Sequence, residues 1–92
     1  MPTWNFVRKS VYHDSVTLMR LTRDLESVPG VHRAAAMMGT PANRALLQDV
    51  GLLTHEGRTA APNDLIIAIE ADEVAVAQRG AAAVEEIGRA HV

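Results

Sequence analysis

Leu65-Ile66-Ile67-Ala68-Ile69 is the stretch whose reading decides the fold. Its apolar side chains do not alternate with polar ones. A strand of this kind is covered on both faces and lies in the middle of a sheet. Around it the chain reads as strand and helix in turn. On the C-terminal side, Asp72 is expected to cap a helix from Glu73 to about Ile87, with Val74, Ala77, Ala81, Val84 and Ile87 as its buried stripe. Gly80 and its small neighbours permit close packing of that helix on a sheet, at some cost in helix propensity.

On the N-terminal side, Thr54 to Pro62 reads as an exposed loop. Before it, Thr40-Pro41 opens a helix, with Thr40 as cap and Pro41 at a position where its missing N–H is not needed. That helix carries Ala42, Ala45, Leu46, Leu47 and Val50 and stops near Gly51. Val31 to Met38 is a strand rich in small apolar residues. Asp14 or Ser15 caps an earlier helix whose Leu18, Leu21, Leu25 and Val28 share one face, and Pro29-Gly30 ends it. The first strand is expected over Phe6 to Tyr12, with Val7 and Val11 inward.

The order β-α-β-α-β-α over one domain, residues 1–92, fits an α/β (α+β) sandwich of ferredoxin-like or ACT-like type. In that sandwich a short helix is inserted after the first βαβ unit and the last strand is lacking. The first strand then has an open edge, and open edges find partners. The alternative is a small three-stranded parallel sheet with right-handed crossovers.

Composition removes several function classes. Net charge is −2 with the signs mixed along the chain, so no phosphate-neutralising patch for nucleic acid is expected. No apolar run is long enough to span a membrane, the N-terminus has no signal-peptide core, and a cytoplasmic protein is the expectation. The absence of cysteine removes disulfides and thiolate metal sites. The four histidines, His13, His32, His55 and His91, show no helical metal spacing. No metal, cofactor or catalytic residue is expected. Trp, Tyr and Phe occur once each, so the core rests on aliphatic residues and Met.

The most distinctive segment is Met37 to Leu47, MMGTPANRALL. It combines a strand end, a glycine, a capped helix start and a cation one turn in. Gly39, Thr40, Asn43 and Arg44 are therefore candidate ligands for a small anion. In the sandwich, the loop before the third strand approaches the end of the second, which adds Asn63 and Asp64. The simpler reading gives Gly39 a turn, Thr40 a cap, Arg44 a solvated surface place, and Pro62-Asn63-Asp64 ordinary turn chemistry.

Asp14-Ser15-Val16-Thr17-Leu18-Met19, then MMGTPANRALL, then Pro62-Asn63-Asp64 resemble, in order and spacing, the N-terminal domain of FdrA-type proteins. The resemblance runs over about residues 6 to 88. FdrA proteins resemble the succinyl-CoA synthetase α subunit and are associated with purine and allantoin catabolism and oxamate carbamoyl transfer. The resemblance implies a small non-catalytic or regulatory subunit that docks on a larger FdrA-like, acyl-CoA synthetase-like or carbamoyltransferase-type chain, whose further domains this sequence does not contain. Two other expectations stand beside it. One is an ACT-like dimeric regulatory domain binding a small anion or amino acid at the Gly39-Thr40 turn. The other is an independent small enzyme, which lacks any nucleophile–base pattern to support it.

Overall fold

β3 (Leu65–Ala71) occupies the centre of a three-stranded sheet of order β1-β3-β2, and both β1 (Thr3–Arg8) and β2 (Val31–Met38) run antiparallel to it. The computed structural model describes residues 2–90, the side chains of 85–90 excepted. The other elements are α1 (Ser15–Glu26), α2 (Pro41–Asp49), α3 (His55–Arg58) and α4 (Val74–Ala90). This is the ferredoxin-like α+β sandwich, and among the described residues no strand follows α4. The parallel-sheet alternative is overturned. β1 and β2 do run parallel to each other, but the apolar β3 inserts between them and pairs antiparallel with both.

Alternate residues of β3 feed two cores. Leu65, Ile67, Ile69 and Ala71 point to a core shared with Leu21 and Leu25 of α1, Ala34, Ala36 and Met38 of β2, and Ala77, Ala81 and Val84 of α4. Ile66 and Ala68 point to a second core with Leu47, Leu52 and Ala60. Both faces of the central strand are covered, as its unbroken apolar run requires. Ile66, Ile67 and Ile69 are fully buried, each contributing roughly 1.5–3 kcal/mol by leaving water.

The first strand lies earlier than expected. Its pairing stops at Arg8, because Ser10 takes φ 54° and turns the chain. The facing is also corrected. Trp4, Phe6 and Val11 pack on the α1/α4 core, Val7 packs on the other side, and Tyr12 is exposed. The alternation read through Phe6–Tyr12 ran across this turn.

The segment after Thr54 is not an exposed loop. It holds α3, with Gly57 and Ala60 buried. A Cβ at Gly57 would overlap Asn5 Oδ1 and come within 2.7 Å of Leu53 Cδ1, so glycine lets α3 sit against β1. In α4, Ala77, Ala81 and Val84 are buried as expected, but Val74 is exposed and Val76 packs on the core instead. The helix begins at Val74, and Asp72 pairs with the His32 ring at 3.0 Å. The side chain of Ile87 lies outside the described ones.

Local signals hold at the two helix starts. Asp14 Oδ1 accepts the Thr17 amide at 2.8 Å, and Thr40 Oγ1 accepts the Asn43 amide at 3.2 Å with Pro41 at the first turn.

Candidate functional site: the sheet edges and the Gly39 turn

A three-stranded open sheet has two edges, and hydrogen bonding decides what each edge offers. Antiparallel pairing alternates residues whose N–H and C=O face the partner strand with residues whose groups face away. The Ala71 amide donates to Pro2 O at 3.2 Å, which puts Trp4, Phe6 and Arg8 in the β1 ladder and turns Thr3, Asn5 and Val7 outward. The Gly39 amide donates to Asp64 O at 2.8 Å, which puts Arg33, Ala35 and Met37 in the β2 ladder and turns Ala34, Ala36 and Met38 outward.

The outer edge of β2 is capped by side chains at two positions. Thr22 Oγ1 of α1 accepts the Ala36 amide at 2.9 Å, and Asn43 Nδ2 of α2 donates to Met38 O at 2.9 Å. The Thr22 contact lies in a groove lined by Leu18, Met19, Thr22, Ala36 and Met37. The outer edge of β1 differs. Among the described residues, only Val7 O has a partner on that side, a 3.5 Å contact from Arg8 Nη1. The outward amides of Thr3, Asn5 and Val7 have no partner among the described residues, and half-buried Trp4, Phe6 and Val7 flank them.

At the other end of the strands, β2 and β3 meet at the Gly39 turn, where the sequence placed its candidates. Gly39 lies so close to the next loop that a Cβ there would stand 2.6 Å from Ala61 O. This contact, with the Gly39–Asp64 backbone bond, brings Asp64 beside the turn. The Asp64 carboxylate makes its hydrogen bonds to other residues. Oδ1 accepts the Ser10 amide at 2.9 Å, and Oδ2 accepts the Ala61 amide at 2.9 Å and faces Lys9 Nζ at 3.4 Å. The Ser10 amide, then the Ala61 amide, with help from the Lys9 charge, hold this carboxyl below its usual range although burial works the other way.

The remaining candidates separate in the same way. The Thr40 hydroxyl accepts the Asn43 amide, and the Asn43 side chain is committed to Met38 O. Asn63 is exposed. Arg44 donates from Nε to Gly39 O at 3.2 Å and from Nη1 to Arg58 O at 3.0 Å, tying the turn to α3. It lines a groove of about 240 Å³ with Pro41, Ala45, Gln48, Leu53 and Arg58.

Sequence reasoning passed over three residues. Asn5 is buried in β1; its Oδ1 accepts the Thr54 amide at 2.7 Å and its Nδ2 donates to Leu52 O at 2.9 Å. Its signal was a polar residue inside Trp4-Asn5-Phe6-Val7. Thr22 guards β2, and a threonine in the middle of an amphipathic helix carries no signal for that. Arg33 donates from Nε and Nη2 to Glu70 at 3.1 and 2.9 Å and from Nη1 to Val50 O at 2.7 Å, which pins the end of α2 to the sheet. Hydrogen bonding from Arg33 holds the Glu70 carboxyl below its usual range.

Comparison with known proteins places this geometry. The chain matches the family described as "AllF, heavy metal-associated domain" over residues 1–91. It is 36% identical over 63 residues to the uncharacterized protein YahF of Escherichia coli K12, a stretch that is 68% of this chain and 12% of the relative. The chain thus spans about an eighth of that relative's length. No solved structure matches. Among the described residues no helix is long and apolar enough to cross a membrane.

The family description implies a heavy metal, and the residues here do not fit one. Soft metals are held by thiolates or thioethers, and the chain has no cysteine. Met38 and Met37 belong to opposite cores and Met19 lies on the surface of α1. Among the described residues no three His, Asp or Glu side chains converge. Matched over nearly its whole length, this chain belongs to the AllF heavy metal-associated domain family, as a member in which the donors among the described residues do not fit a heavy metal.

Proposed function

We propose that this chain is a non-catalytic docking domain of an FdrA-like, acyl-CoA synthetase-like or carbamoyltransferase-type assembly serving purine- or allantoin-type nitrogen catabolism, and that β1 accepts a strand of the larger chain. The observation that carries this reading is the contrast between the two edges. Thr22 and Asn43 cap the Ala36 amide and the Met38 carbonyl of β2, whereas the outward amides of Thr3, Asn5 and Val7 on β1 have no partner among the described residues. Strand addition uses such outward amides for affinity and the flanking apolar side chains for specificity.

Two further observations support the reading. The three segments that resemble FdrA proteins keep their order here, and in YahF the matching stretch is a small part of a much longer chain. The described side chains also offer little chemistry of their own. His32 and Asp72 pair on the surface, and no hydroxyl joins them among the described residues.

Co-purification with an FdrA-like chain encoded beside this one tests the proposal. Thr3→Pro removes an outward donor without removing a ladder bond, so it should weaken the complex and leave the fold intact. Equal capture of wild type and Thr3→Pro, or a wild type that stays alone, would contradict it. Pairing of β1 with β1 of a second copy, the ACT-like dimer, uses the same groups and would show as a dimer that excludes the larger chain.

A further inference from the structure

The groove between α2 and α3 is separate from the sheet edges. It is lined by Pro41, Arg44, Ala45, Gln48, Leu53 and Arg58, so two arginines and a glutamine border it and no acidic residue does. We propose that this groove binds a small oxyanion, a carboxylate or phosphate, between Arg44 and Arg58.

Arg44 is already oriented. Its Nε and Nη1 are held by Gly39 O and Arg58 O, which fixes the plane of the guanidinium and leaves its Nη2 hydrogens without a partner among the described residues. The Arg58 side chain has no hydrogen-bond or ion-pair partner among the described residues, and the one acid of its helix, Glu56, is engaged by the Thr54 hydroxyl at 2.9 Å. Two cations on one small concavity with no counter-charge favour an anion, and planar guanidinium donors match two oxygens of a carboxylate or phosphate. Size narrows the class. About 240 Å³ lies below the roughly 300–1,000 Å³ of sites for drug-sized ligands, which suits a small oxyanion.

The test is an NMR titration of the purified chain that follows the backbone amides and the arginine Nε–H signals. Sodium phosphate and sodium malonate are added in separate arms, against sodium chloride at equal ionic strength. The expected result is saturable shifts at Arg44, Arg58, Gln48 and Leu53 with at least one oxyanion, and affinity weakened about tenfold or more in Arg58→Gln. Arg58 holds no other element in place through its side chain, so this variant should fold even if an Arg44 variant does not. Which arm saturates separates carboxylate from phosphate. Shifts that follow ionic strength alone, or an Arg58→Gln affinity equal to wild type, would overturn the proposal. The outcome does not depend on the β1 edge, so it stands or falls apart from the docking reading.

Discussion

The Thr22 hydroxyl accepts the backbone amide of Ala36 at 2.9 Å, and through this bond α1 caps an outward amide on one edge of the sheet. Thr22→Val keeps the shape of the side chain and removes the acceptor. It should lower stability by about 1 kcal/mol, the net worth of one hydrogen bond. It should also increase concentration-dependent association, because an exposed strand edge seeks a partner. Urea unfolding and size-exclusion chromatography over a concentration series check both. A variant as stable and as monodisperse as wild type would show that Thr22 does not guard this edge.

Gly57 lies against Asn5, and Asn5 joins β1 to the loop entering α3. Gly57→Ala should displace Asn5 and break its two bonds to Leu52 and Thr54. The expected loss is about 1–3 kcal/mol, the cost of overpacking a tight contact. Thermal unfolding measures it. A second variant, Asn5→Ala, should destabilise by the same route, and the two losses should not add.

Acid should destabilise the fold through Asp64 and Glu70. Both carboxyls titrate below their usual range, Asp64 held chiefly by the Ser10 amide and Glu70 by Arg33. A carboxylate of lower pKa in the folded state binds fewer protons there than in the unfolded chain. Its contribution is therefore present above the unfolded pKa, about 4, and is lost as pH falls through the lower folded value. Unfolding free energy should decline on acidification below about pH 4. Asp64→Asn should flatten that decline. An Asp64→Asn slope equal to wild type would remove Asp64 from this account.

Much of the fold can be read from short stretches, where the cause is local. The apolar run of β3 marks a central strand, Asp14 and Thr40 mark helix starts, and Leu21 and Leu25 mark the core face of α1. What stayed hidden depends on contacts distant in sequence. Ser10 ends β1 in a left-handed turn, and its amide is held by Asp64, 54 residues away. Gly57 and its polar neighbours look like a loop until Asn5 arrives to receive α3. The candidate site follows the same rule. Neighbourhood was legible, since Asp64 does lie beside Gly39. Side-chain direction was not, because Asp64 turns toward Ser10 and Ala61 while Arg44 turns toward Arg58.

Amide hydrogen exchange along β1, in the chain alone and mixed with an FdrA-like partner, tests the docking proposal most directly. In the chain alone, the outward amides of Thr3, Asn5 and Val7 should exchange fast while Phe6 and Arg8, inside the ladder, exchange slowly. Binding should slow the three outward amides and leave Ala36, already held by Thr22, unchanged. A complex in which Thr3, Asn5 and Val7 keep exchanging fast would contradict the assignment of β1 as the docking edge.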